Sequence, residues 1–453
     1  MKVTLIQPLM RMRPMDTTLK TRMAPSLGLL TVAQVVRAEA EVEIINENVD
    51  DVIDYDSPTD IVGITVTVDI LPRAAEIAAE FNKRGVPVVA GGIQITSCPD
   101  SARGIFDVLA VGFAEGTWPD ILRDLRKGEL KDTYLCCKLE PEQILSPAYD
   151  LADNGKYLYI NVISASRGCP FKCDFCYNST INIRNSFLNR RIDDVISDIR
   201  TVNRRHIMFI DDNFIGNPKW TFEFLDRITP MKLKWNAAVS ANVVEIPGML
   251  DKMKESGCQG LFIGFESINE NSIKSVHKGQ NDMARYEYLV SEIHRRGMMI
   301  NASFVFGLDG DDPSTFDRTL EWIIKNKIET VTSHILTPYP GTAQYYRLKA
   351  EGRITSDDQR CYTTSEVVFA PARMTASQLL DDYIDLYQRI YSIRNIIRRM
   401  PSHQRIGYLL FNIFYRKFGK LTERICRFIG YTRLGYICER LSFKLTALSF
   451  TLE

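Results

Sequence analysis

Three cysteines, Cys169, Cys173 and Cys176, stand within eight residues in the segment Ser166-Arg167-Gly168-Cys169-Pro170-Phe171-Lys172-Cys173-Asp174-Phe175-Cys176, spaced CxxxCxxC. Thiolates this close on one loop can converge on one metal centre, and Fe–S clusters are held by such thiolates. A four-iron cubane takes four ligands and only three are local, so one coordination position stays open, the arrangement by which a catalytic metal accepts substrate. Gly168 and Pro170 suit a loop that folds tightly around metal. A structural zinc site would ask for a fourth Cys or His at finger-like spacing. None of the five histidines, at 206, 277, 294, 334 and 403, is nearby. With chance grouping as the remaining alternative, the spacing favours a 4Fe-4S cluster with an open position.

The elements that must position this loop are legible around it. Apolar strand candidates at 159–164, 207–210, 233–239, 260–265, 299–306 and 331–336 alternate with helical patterns near 191–203, 218–228, 247–256, 283–296 and 314–326. That rhythm predicts a partial (β/α) barrel of six strands, whose chemistry belongs to the loops after the carboxyl ends of the strands. On the cysteine motif and this rhythm, residues 158–340 resemble the radical S-adenosylmethionine superfamily. The resemblance implies that Cys169, Cys173 and Cys176 bind three irons while S-adenosylmethionine chelates the fourth, and that reduction yields a 5′-deoxyadenosyl radical. It also places Phe175 near the adenine. The strand ends Asp211 to Phe214, Gly264 to Ser267, Gly307 to Gly310 and Thr337 to Thr342 look like the family's, and Glu266 and Ser267 are candidates for the ribose hydroxyls, since a carboxylate and a hydroxyl can both bond a diol. The acidic run Asp309 to Asp312 lacks the ligand pattern of a calcium loop.

Ahead of this series, the first 140 residues alternate short apolar runs with amphipathic helices, which predicts a doubly wound parallel sheet of about five strands with its ligand at their carboxyl ends. Pro25 to Leu30, Gly91-Gly92-Ile93 and Gly112 to Gly116 resemble the cobalamin-binding domain of the cobalamin-dependent branch of the superfamily. The DxHxxG motif that would supply a histidine to cobalt is absent, and residues 1–205 contain no histidine. Cobalamin would then rest on the strand-end loops, around Thr65 and Thr67, Gly91 and Gly92, Gly112 and Glu115; a degenerate domain or a different ligand is the alternative. Methylthio transfer would need a second three-cysteine cluster here, and the spacing of Cys98, Cys136 and Cys137 argues against one.

Over the whole chain of 453 residues, 45% hydrophobic and 25% charged, composition is that of a globular protein and excludes disordered, collagen-like and disulfide-scaffold classes. Lys+Arg and Asp+Glu both number 56, so no basic excess announces nucleic acid. Residues 391–453 nevertheless carry twelve Lys and Arg against three acids, interleaved with aromatic and aliphatic residues. Such a segment either lies on an anionic membrane surface or caps the barrel through its apolar face. The start lacks a signal peptide and no apolar run could span a bilayer, so the expected location is the cytoplasm, with possible peripheral contact at the inner face of the membrane.

The expected organisation is a cobalamin-binding-like domain over 1–140, a radical S-adenosylmethionine barrel over 155–342 and a helical region over 343–453. The expected function is cobalamin-dependent C-methylation of an unactivated carbon in a lipid, tetrapyrrole or other secondary metabolite, with a flavodoxin or ferredoxin as reductant. Radical oxidation, cyclisation or C–C coupling without methyl transfer is the alternative, and a catalytically silent Fe–S or scaffold protein is a third.

Overall fold

A computed structural model describes residues 1–13, 16, 21–49, 51–153, 155–157, 160–417 and 421, without the side chains of 414 and 415. The chain forms two compact units, one of Met1–Arg11, Ala24–Asn203 and Thr337–Thr363, the other of Met12–Met23, Arg204–Leu336 and Thr364–Glu453.

The first unit is built on a six-stranded parallel sheet: β1 (Lys2–Gln7), β2 (Glu41–Asn46), β3 (Ile61–Thr65), β4 (Val88–Gly91), β5 (Val108–Gly112) and β6 (Thr133–Cys136), in the order β2-β1-β3-β4-β5-β6. Between them run α1 (Leu27–Val36), α2 (Leu71–Asn82), the short α3 (Ile93–Ser97) and α4 (Ala114–Lys127). Parallel strands covered on both faces read as continuous apolar runs, and two cores result. Val3, Leu5, Ala33, Val36, Trp118 and Ile121 fill one, Ile6, Val62, Ile64, Ala74, Ile77 and Phe81 the other. The sheet has six strands where about five were expected, because residues 129–157, polar and interrupted by Pro141 and Pro147, read as a connector, and β6 within them is a four-residue edge strand in which only Tyr134 is buried. α1 starts at Ser26, whose side chain accepts from the N–H of Leu29 and so satisfies one of the open donors of its first turn.

The same unit holds β7 (Val162–Ile163), the antiparallel pair β8 (Ser166–Arg167) and β9 (Leu188–Asn189), α5 (Ile192–Val202) and, after the second unit's strands, α11 (Ala343–Ala350). A buried ion pair, Arg190 to Asp198 at 2.6 Å, fixes α5 to the turn before it.

The second unit carries β10 (His206–Phe209), β11 (Lys234–Val239), β12 (Cys258–Glu266), β13 (Met299–Phe306) and β14 (Thr330–Ile335), parallel and hydrogen-bonded in chain order. The crossovers contain α6 (Pro218–Ile228), α7 (Met249–Glu255), the short α8 (Glu270–Lys274), α9 (Tyr286–Arg295) and α10 (Ser314–Lys325). Five strands of the second series and its five expected helices therefore stand where the hydrophobic periods placed them, and of the strand expected over 159–164 β7 covers Val162–Ile163, residue 159 lying outside the described residues. The unit ends in α12 (Ala376–Ile390), α13 (Ile393–Arg398), α14 (Arg405–Leu409) and a π-helical turn at Leu410–Lys417. Tyr408 and Asn412 are buried, so the described part of the basic tail packs on its own unit; the remainder of the tail, 418–420 and from 422 on, lies outside the described residues. No helix among the described residues is long and apolar enough to cross a membrane.

Candidate functional site: two sets of loops joined in one unit

The pairing of β8 with β9, Ser166 opposite Asn189 and Arg167 opposite Leu188, forms a hairpin neck from which residues 168–187 emerge. Gly168 leaves the neck at φ +71°, a left-handed turn that glycine adopts without strain. Within the loop the N–H of Cys176 donates to the carbonyl of Cys173 at 2.9 Å, and Ser179 returns both its N–H and its hydroxyl to the carbonyl of Cys176. Cys173 is buried while Cys169, Cys176 and Phe175 are half-buried. In the chain alone, and among the described residues, no three His, Cys, Asp or Glu side chains are already drawn together as a metal site. α11 closes on the loop through the N–H of Gln344, which donates to the carbonyl of Asp174 at 3.0 Å.

Three side chains around this loop are buried with an oxygen that has no partner: the carbonyl oxygens of Asn178 and Gln344 and the hydroxyl of Thr180. Leaving a buried acceptor unmade costs about 1–3 kcal/mol. Such a cost marks a place where hydrogen-bond donors belong.

The candidate residues of the amino-terminal domain stand side by side at the carboxyl ends of β3, β4 and β5. Thr65 and Gly91 close β3 and β4 and pair in register. Gly92, at φ +97°, approaches β3 so closely that a Cβ would lie 2.9 Å from the N of Val66. Gly112 donates its N–H to the Thr96 hydroxyl at 3.1 Å, and a Cβ there would lie 2.0 Å from the carbonyl oxygen of Cys136. Thr67 is exposed and its hydroxyl donates to Asp69. Glu115, in the first turn of α4, has its side chain 3% exposed. One of its oxygens accepts from Arg167 of the hairpin neck at 3.3 Å, and the other, Oε2, has no partner.

Arg167 thus ties the cysteine loop to the strand-end loops of the first domain. Two further contacts within the unit do the same. Asn182, beyond the cysteines, donates to the carbonyl of Thr96 at 2.9 Å, and Gly341, ahead of α11, passes so close to Ser97 that a Cβ would lie 2.5 Å from its carbonyl oxygen. Arg167, Asn178, Thr180, Asn182 and Gln344 carried no signal of their own in the sequence.

In the second unit, Glu266 ends β12 at φ +63°, where the register with β13 shifts. Its buried carboxylate is paired with Lys278, whose ammonium also donates to the carbonyl of Gly264 at 3.0 Å. Asn281 donates to the carbonyls of Gly264 and Phe265, and Tyr286 donates to that of Phe265. The Ser267 hydroxyl accepts from the N–H of Asn269. The segment 278–281 therefore wraps the end of β12. At the end of β13, Asp311 gathers the N–H groups of Gly307 and Leu308, each at 3.0 Å, and the Ser272 hydroxyl at 2.6 Å. Burial pushes its carboxyl up to about 6. At the end of β10, Asn213 and Ser240 bond each other through backbone and side chain.

Residues 163–323 match the radical SAM superfamily, and residues 342–414 match a domain of unknown function, DUF4070. The chain is 31% identical over 388 residues to the bacteriochlorophyllide d C-12(1)-methyltransferase of Chlorobaculum tepidum, covering 83% of this chain and 84% of that one. The chain belongs to the radical S-adenosylmethionine superfamily. It is also 27% identical to the hopanoid C-2 methylase of Rhodopseudomonas palustris over 83% of this chain and 72% of that protein. Among solved structures, the radical S-adenosylmethionine methyltransferase TsrM of Kitasatospora setae, with cobalamin and a 4Fe-4S cluster bound, superposes with a TM-score of 0.65 at 14% identity over 89% of this chain and 90% of that one. The cobalamin-dependent S-adenosylmethionine radical enzyme OxsB superposes with a TM-score of 0.66 at 15% identity, over 99% of this chain and 76% of that one. These likenesses confirm the fold expected of both halves, a doubly wound domain ahead of a radical S-adenosylmethionine barrel.

As a radical S-adenosylmethionine enzyme the chain uses a 4Fe-4S cluster and S-adenosylmethionine. The donor set fits. Three thiols share one loop, and beside it Asn178, Thr180 and Gln344 offer buried acceptors to a molecule that carries amine and hydroxyl donors.

Proposed function

We propose that this radical S-adenosylmethionine enzyme is a cobalamin-dependent C-methyltransferase acting on an unactivated carbon of a tetrapyrrole or polycyclic, lipid-like substrate. The observation that carries the reading is the junction inside the first unit, where Arg167 of the cysteine loop holds Glu115 of the β5 loop. An enzyme that takes hydrogen from a carbon and delivers methyl to that same carbon must hold two cofactors in a fixed relation, and these three loop contacts supply that rigidity. The similarity to methylating relatives along most of the chain supports it.

In this reading Cys169, Cys173 and Cys176 hold three irons, Phe175 packs beside the adenine, and Glu266 and Ser267 bind the ribose hydroxyls. Lys278 then balances the charge of Glu266 and holds its carboxylate in one orientation. Thr65, Thr67, Gly91, Gly92, Gly112 and Glu115 line the cobalamin site, where Gly92 and Gly112 let a large ligand approach the strand ends without meeting a side chain. When bound, the cluster and S-adenosylmethionine supply the hydrogen-abstracting radical and cobalamin supplies the methyl group. Residues 1–140, 155–342 and 343–453 act as cobalamin, radical and helical regions. The enzyme works in the cytoplasm with flavodoxin or ferredoxin as reductant, and its basic tail rests on the inner face of the membrane.

The test is iron and cobalt per chain in protein purified without oxygen from cells supplied with cobalamin, followed by product analysis with candidate substrates. About four irons and about one cobalt, with S-adenosylhomocysteine and 5′-deoxyadenosine formed together, is the expected result. Iron without cobalt, and 5′-deoxyadenosine alone, would move the enzyme to radical oxidation, cyclisation or C–C coupling.

A further inference from the structure

The second unit contains a cavity of about 330 Å³ against the face of its sheet that points away from the crossover helices, within the size range of small-molecule sites. On the helix side, Phe209, Phe224 and Trp235 pack edge to face, so the alternate residues Met208, Asn236 and Ala238 point the other way. Register carries this inward face across to Gly260, Phe262, Asn301 and Thr332. A barrel interior is normally filled by layers of bulky side chains. Here two neighbouring strands place Ala238 and Gly260 in that layer, and the space stays open.

The cavity runs from the first residues of the strands, His206, Lys234 and Thr330, to Ile210 at the carboxyl end of β10, which is 46% exposed. At the amino ends it is closed by Gln404, Gly407, Tyr408 and Phe411. That plug is anchored: Arg399 donates to the carbonyls of Ile328 and Glu329, and Asn412 donates to the latter as well. The wall carries Lys234 and Glu329 at its amino end, while several of its other polar groups are already bonded. Asn236 pairs with His206 at 2.7 Å, Thr332 donates to Asn301 at 3.1 Å, and the Tyr408 hydroxyl is spent on the carbonyl of Ile396 at 2.6 Å. What remains for a ligand is chiefly apolar: Met208, Ala238, Phe262, the ring of Tyr408 and Phe411. Cavities of this kind take hydrocarbon. The plug belongs to the basic, acid-poor segment that begins at 391, the charge pattern of a surface that meets anionic lipid.

We propose that this cavity binds an aliphatic chain of the substrate, entering past Ile210, so that the reacting carbon stays at the carboxyl ends of the strands while the tail lies along the barrel interior. The inference deepens the methyltransferase reading and rests on it for the identity of the ligand as substrate. It selects, among lipid-like substrates, those carrying a flexible hydrocarbon chain.

The test titrates the full chain with cis-parinaric acid, a fatty acid that fluoresces when its polyene enters an apolar site. Wild type should bind one equivalent saturably. Gly407→Leu, at a position where an added Cβ meets nothing within 4 Å, and Ala238→Leu should each weaken binding at least tenfold by filling the space. Gly407→Leu also replaces a helix-interior glycine, so its thermal midpoint should hold or rise, which keeps the test intact if the strand variant folds poorly. Equal affinity in wild type and Gly407→Leu, or non-saturating uptake of many equivalents, overturns the proposal. Formation of S-adenosylhomocysteine is measured in parallel on wild type; its absence alongside saturable, variant-sensitive binding would sink the methyltransferase reading and leave the cavity assignment standing.

Discussion

The Arg167 guanidinium donates to the Glu115 carboxylate at 3.3 Å, across 52 residues of sequence, and joins the residue two before the first cluster cysteine to the first turn of the helix after β5. The Glu115 side chain is 3% exposed and that of Arg167 27%, so the carboxylate has little water to fall back on. Replacing Arg167 by Met leaves a buried anion with both oxygens unpaired. A loss of about 3 kcal/mol is expected, read as a lower denaturant midpoint, together with a lower iron content after reconstitution because the hairpin neck loses its anchor. Glu115→Gln, which keeps the shape and removes the charge, should cost less. Equal stability of Arg167→Met and wild type would show that the pair does not hold the two loops together.

Cys173→Ala should abolish 5′-deoxyadenosine formation and the broad visible absorption of the cluster. The fold should survive, because the loop hangs from a hairpin neck and belongs to neither core of its unit. Far-ultraviolet circular dichroism matching wild type, with iron lost, is the expected pair of results. Persistent 5′-deoxyadenosine would refute the cluster assignment.

Lys278→Met strands the Glu266 carboxylate, which is 7% exposed, in a left-handed backbone conformation. The expected destabilisation is about 3–5 kcal/mol. Adding Glu266→Gln should recover much of it by removing the uncompensated charge, and the double-mutant cycle measures the coupling. Additive single effects would mean that the two side chains do not interact.

Asp311 gives the second unit a pH signature. Its carboxyl moves from 3.8 to about 6 in the folded chain, so between these values the folded state holds more protons than the unfolded one. Stability should therefore fall as pH rises from about 4 to about 6, by at most about 3 kcal/mol. His334 works in the opposite sense, since burial lowers it from 6.5 to about 4 and the unfolded state then holds more protons in that window. The two groups oppose each other, so each is read from its own variant. Urea midpoints measured from pH 4 to 7 should show the advantage of wild type over Asp311→Asn shrinking as pH rises, and its advantage over His334→Gln growing. A wild-type minus Asp311→Asn difference that does not change with pH would assign the titration to another group.

The short-range patterns of this chain were legible because they are local. Strands buried on both faces are apolar where they are covered, as in Ile61 to Ile64 and Phe304 to Phe306, and crossover helices must repeat with their own period, so the strands of both sheets other than β6 could be placed from the sequence. The cysteine spacing was legible for the same reason, three ligands within one loop. β6 escaped because an edge strand of four residues buries too little to leave a pattern.

What the sequence by itself determined is the pair of α/β halves and the chemistry of the cluster loop. Only the tertiary structure decided that Arg167 meets Glu115, that Lys278 neutralises Glu266, that Asn178, Thr180 and Gln344 keep open acceptors beside the cysteines, and that Ala238 and Gly260 leave a cavity behind residues 404–411. The physical reason is the range of the interactions. Periodicity and ligand spacing are set by neighbours a few residues apart, whereas an ion pair or a void depends on where two distant backbones come to rest, and no single segment encodes that alone.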